Sequence, residues 1–76
     1  MDIKQQLIDI FAETFEVEVA EVPNIEYQSV EAWDSIGHMM MISAVEEKFN
    51  ISIEMDDVIV ISNLDECVNV VTKYVN

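Results

Sequence analysis

Apolar residues recur at helical spacing in three separate stretches of this chain. Ile3, Leu7, Ile10, Phe11 and Phe15 share one face, with Lys4, Gln6, Asp9 and Glu13 elsewhere, and predict a helix from about Asp2 to Phe15. Asp2 is placed to cap it, and Gln5 stands at the capping-box position three residues on. His38, Met41, Ile42, Val45 and Phe49 fall on one face at 100° per residue and predict a helix from Ser35 to Phe49, ended by Asn50. Leu64, Cys67, Val68, Val71, Tyr74 and Val75 give the buried face of a last helix that starts at Asn63, with Glu66 as its capping partner.

The stretches between are harder to read. Residues 16–34 have no clean period, and Pro23-Asn24 breaks any helix there. Loops this long are usually functional or packed by their own side chains. Val19, Val22, Ile25, Tyr27, Val30 and Trp33 are apolar enough to pin this one to the core. Ile51-Ser52-Ile53 is extended and alternating. Residues 56–61 are ambiguous. Val58-Ile59-Val60-Ile61 prefers strand by propensity, whereas Asp56-Asp57 suits the cap of one or two helical turns.

Composition narrows the class. At 76 residues the chain is expected to be one domain, residues 1–76, and 51% apolar content is enough for a single core and argues against disorder. Three basic residues against sixteen acidic ones leave a net charge of −13. That excludes nucleic-acid binding, which needs a basic footprint, and disfavours anionic membranes. The natural partners are proteins with basic patches, steered in electrostatically. One cysteine allows no internal disulfide and no cysteine-based metal cluster. Asp56-Asp57 and Glu46-Glu47 lack the spacing of a specific metal site, so none is expected. The first residues lack the pattern of a signal peptide, and no apolar run reaches membrane-spanning length. These features read as a soluble, cytoplasmic, monomeric protein without stable membrane insertion.

The candidate chemistry centres on Ser35, at the junction of the acidic loop and the second helix. Its hydroxyl lies near the positive end of a helix dipole, a good place to hold a covalently attached phosphate. Ser35 is also a suitable ordinary cap, a role that Asp34 can take instead. Ile36, Met40, Ser43 and Glu47 fall opposite the core stripe, with Met39 on the flank. An apolar patch of Ile36, Met39 and Met40 beside Ser35 suggests contact with a partner or a bound acyl group. His38 stands three residues after Ser35, which invites a hydrolase reading. The strained Gly-x-Ser-x-Gly elbow is missing, however, and His38 belongs to the inward stripe as a packed or loop-bonded histidine. Cys67 falls on a buried face and suits a small apolar role.

Asp34-Ser35-Ile36, followed by a helix ending Val45-Glu46-Glu47-Lys48-Phe49-Asn50 and then Ile51-Ser52-Ile53, resembles the acyl carrier proteins over essentially the whole chain. The resemblance is to their Asp-Ser-Leu signature and the acidic Glu-Glu-x-Phe ending of helix two. It implies an all-α, four-helix acyl-carrier-like bundle with three longer helices, one short helix and a long loop between helices one and two. It also implies 4′-phosphopantetheine on Ser35, gained from coenzyme A through a phosphopantetheinyl transferase, with Asp34 helping to coordinate the Mg²⁺ used in that step. The protein would then be a non-catalytic carrier of acyl or aminoacyl thioesters in lipid, polyketide or polysaccharide biosynthesis. Its partners would be activating ligases, acyltransferases or ketosynthases, with Ile36, Met39, Met40 and Glu47 as the docking face. Trp33 before the signature and Gly37-His38 after it look more like carriers of specialised pathways than the housekeeping fatty-acid carrier. The alternative is an acidic helical interaction module without a covalent cofactor.

Overall fold

A computed structural model describes residues 2–75. Among them the regular elements are all helical: α1 (Ile3–Phe15), a 3-10 helix (Val19–Asn24), α2 (Ser35–Phe49), α3 (Met55–Val58) and α4 (Leu64–Val75). This is the acyl-carrier type of bundle that the sequence implies.

α1 starts where Asp2 offers its carboxylate to the Lys4 and Gln5 N–H groups at 3.0 and 3.4 Å. The capping box is only half made. The Gln5 side chain donates forward to Asp9 instead, and that of Gln6 reaches back to the Asp2 carbonyl. α1 and α2 end alike. Glu16 and Asn50 turn into the left-handed region, both at φ 56°, which lets the next residue's N–H bond the carbonyl five residues back. Asn50 suits that conformation; Glu16 adopts it without the help of a short side chain.

The long loop contains a helix that its proline was expected to forbid. Pro23 lies inside the 3-10 helix, where Glu21 N–H bonds the Glu18 carbonyl at one end and Ile25 N–H the Val22 carbonyl at the other, and proline, with no N–H, donates to neither. Val22, Ile25 and Trp33 pin the loop to the core, and Val30 packs against it. Val19 and Tyr27 do not; both are exposed. The second half of the loop is stitched to the start of α4. Tyr27 N–H donates to the Ser62 carbonyl at 2.9 Å, and Glu26 pairs with Asn63 in an isolated bridge.

The core joins Leu7, Phe11 and Phe15 of α1 to Met41, Ile42 and Val45 of α2 and to Leu64, Cys67, Val70 and Val71 of α4. Trp33 sits among them with no exposed surface. Its ring stacks on Phe15 at 4.5 Å and meets Phe11 edge-on at 5.3 Å. On α4, Val70 is buried and Val75 exposed, the reverse of the expectation for that pair.

The ambiguous segment forms one helical turn, not a strand. Val58 is buried, and Ile59 and Val60 face solvent with no strand among the described residues to pair with. Asp56 and Asp57 lie inside the turn and do not cap it. Asp57 ties α3 to α4, accepting from Lys73 at 2.9 Å and from the Tyr74 hydroxyl at 2.6 Å. These donors, Tyr74 foremost, hold its carboxyl below the ordinary value. At the start of α4, Asn63 accepts from the Glu66 N–H at 2.9 Å. The Glu66 carboxylate passes over Asn63 to the hydroxyl and N–H of Ser62, which hold its pKa down.

Candidate functional site at the start of the second helix

Asp34 is the N-cap of α2. Its side chain accepts from Gly37 N–H at 2.8 Å, and its carbonyl accepts from His38 N–H at 2.8 Å. The first bond satisfies one of the four first-turn donors that a helix leaves free, and the second is the first rung of the helix's own ladder. The Ser35 and Ile36 N–H groups keep no acceptor among the described residues.

Gly37 makes this junction possible. It is buried, and a Cβ there would stand 1.9 Å from the Ala32 carbonyl oxygen. Only glycine lets the end of the loop fold so closely over the first turn of α2. In the sequence Gly37 stands out only within the Gly37-His38 pair that looks like carriers of specialised pathways. The signal available was that the chain's one glycine falls inside a helix, where glycine is otherwise unfavourable.

Ser35 is exposed, and its Oγ lies 3.2 Å from the Tyr27 hydroxyl. Tyr27 was not anticipated here; nothing in an aperiodic loop announces which helix end it reaches. His38 is half-buried and fully engaged. Trp33 Nε1–H donates to its Nδ1 at 3.0 Å, and its Nε2 lies 2.8 Å from the Val58 carbonyl. An indole N–H can only donate, so Nδ1 must accept and Nε2 carries the proton given to Val58. Neither ring nitrogen is left to take a proton from Ser35. His38 is thus the packed, loop-bonded histidine expected, and it links the loop, α2 and α3.

Ile36, Met39 and Met40 are exposed together on α2, Ile36 to 73%. Glu47 is also exposed but lies eleven residues beyond Ile36, about 16 Å along the helix axis, so it is not part of the same cluster. Sequence reading missed exposed Met55, Ile59 and Val60 on and after α3; Ile59 is 71% exposed. Tyr27, His38, Ile59, Ile61 and Ser62 line a cleft of about 230 Å³. Among the described residues no helix is long and apolar enough to cross a membrane.

An exposed hydroxyl on a capped helix start, in a small acidic helical bundle, is compatible with a carrier-type domain. Over residues 5–71 the chain matches the phosphopantetheine attachment site family, and it belongs to that family. A comparison with curated proteins finds no match. Domains of this family take 4′-phosphopantetheine covalently, work with phosphopantetheinyl transferases and biosynthetic enzymes, and are generally non-catalytic. The residues at the start of α2 fit the group: an accessible oxygen for the ester bond, and two free amides where a phosphate is favoured.

Proposed function

We propose that Ser35 carries the 4′-phosphopantetheine group and that the protein is a non-catalytic carrier presenting acyl or aminoacyl cargo to partner enzymes. The observation that carries this reading is the exposed Ser35 Oγ at the first residue of α2, inside the segment that matches the family. When bound, the group supplies a terminal thiol that holds acyl groups as thioesters. The chain's own part is presentation. Asp34 caps the helix with one carboxylate oxygen, and its other oxygen supports the reading that it meets Mg²⁺ while the group is transferred. Ile36, Met39 and Met40 give partners an apolar contact on an otherwise acidic body, and methionine suits contacts that must serve several enzymes. Glu47, further along α2, acts as a separate electrostatic contact for a basic patch.

Intact mass after incubation with coenzyme A, Mg²⁺ and a broad-specificity phosphopantetheinyl transferase tests the assignment. Wild type gains one phosphopantetheinyl group. Ser35→Ala gains none and melts like wild type, because the side chain is exposed and Asp34 keeps the cap. A wild-type protein that stays unmodified, or a Ser35→Ala protein that is modified, refutes it.

A further inference from the structure

We propose that Tyr27 steers the group carried on Ser35 into the cleft between the start of α2 and the turn after α3. The inference rests on the Ser35 reading above and adds the residue of this chain that directs the arm once attached.

Three observations carry it. Tyr27 places its hydroxyl 3.2 Å from Ser35 Oγ. The phenol is also held from several sides. Its ring meets His38 at 5.4 Å and Trp33 at 6.5 Å, both edge-on, and its N–H is fixed to the Ser62 carbonyl. A donor so anchored is already ordered before any ligand arrives, so little freedom is lost on contact. Finally, Tyr27 itself lines the cleft, with His38, Ile59, Ile61 and Ser62. The polar groups of that lining are engaged elsewhere: His38 Nε2–H on the Val58 carbonyl, and the Ser62 hydroxyl on Glu66. What the cleft offers is an aromatic edge and two isoleucines.

The chemistry of the arm follows the same order. A phosphodiester comes first, with oxygens that accept a phenolic proton. Next comes a carbon bearing two methyl groups, which gains by leaving water for an apolar wall. None of the three basic residues lines the cleft. On a chain of net charge −13, Tyr27 therefore supplies a neutral donor where another carboxylate would repel the phosphate.

NMR of the loaded protein tests this. Wild type shows NOEs from the arm's paired methyls to the methyls of Ile59 or Ile61, and a phosphorus resonance displaced from that of free phosphopantetheine. Tyr27→Phe loads, melts within a degree or so of wild type, loses those NOEs and moves the phosphorus resonance back toward the free value. Ile59→Ser, at an exposed position, weakens the methyl NOEs and leaves the phosphorus resonance at its wild-type place. Loaded wild type without the NOEs, or Tyr27→Phe with a wild-type phosphorus resonance and NOEs, overturns the inference alone. Failure of wild type to load, read by mass beforehand, overturns the Ser35 assignment and this inference with it.

Discussion

Gly37→Ala sets two physical arguments against each other. By helix propensity alone, alanine in place of glycine stabilises by up to about 1 kcal/mol. The packing says otherwise. The new Cβ would lie 1.9 Å from the Ala32 oxygen and 3.1 Å from its carbon, both backbone atoms. Reaching an ordinary contact requires a shift of about 1.5 Å. The loop carries Trp33 next to Ala32, stacked on Phe15 and bonded to His38, so the shift spreads into the core. Overpacking of this kind costs about 1–3 kcal/mol, and loosening the Asp34 cap adds about 1 kcal/mol. Against the propensity gain, the net loss is about 2 kcal/mol. For a domain of this size that is a fall in Tm of roughly 8–16 °C. Urea titration followed by the fluorescence of Trp33, the single tryptophan, measures it directly, with an unchanged m-value separating stability from compactness. A midpoint equal to or above that of wild type would refute the packing argument, since the sign itself decides.

Other expectations concern charge and burial. Asp57 and Glu66 are held below their ordinary values of 3.8 and 4.5, so the stability they add is complete above those values and fades as pH falls through the lower folded ones. The difference in stability between wild type and Asp57→Asn or Glu66→Gln should shrink on acidification; a gap constant from neutral pH to pH about 2 contradicts the assignment. Taking differences cancels the relief of self-repulsion that acid brings to all the carboxylates. Burial pushes the Cys67 thiol up to about 12, so a disulfide reagent at neutral pH should modify it only in denaturant, and rapid reaction of the folded protein would contradict that packing. With a net charge of −13, Tm should rise with added salt or millimolar Mg²⁺, and a Tm flat across ionic strength speaks against self-repulsion as a destabilising force.

What was legible in the sequence is what repeats. The stripe His38, Met41, Ile42, Val45 gives α2 its limits, Ser35 and Phe49, because a half-buried helix must repeat its apolar positions. The exposure of Ile36, Met39 and Met40 follows from the same geometry. Contacts between aperiodic segments leave no such trace. Pro23 signals a break when read against α-helix geometry, yet a 3-10 turn accommodates it. Val58-Ile59-Val60-Ile61 has the composition of a strand, and among the described residues no strand lies beside it. Which of Val70 and Val75 is covered depends on how far the core extends along α4, and helical spacing alone does not set that length. At the site, Ser35 and Asp34 come from a local pattern. Tyr27 and Gly37 matter through a hydroxyl eight residues from Ser35 and a carbonyl five residues from Gly37, distances that only the folded loop shortens.

The surroundings of Ser35 draw on chain that is synthesised long after it. Tyr27 is held by the Ser62 carbonyl, and His38 by that of Val58. While a ribosome still encloses those residues, the hydroxyl beside Ser35 has no fixed position and the histidine lacks half its support. An enzyme that recognises the assembled junction would therefore pass over nascent and truncated chains and act on finished ones. On the Ser35 reading proposed above, maturation would then double as an inspection of folding.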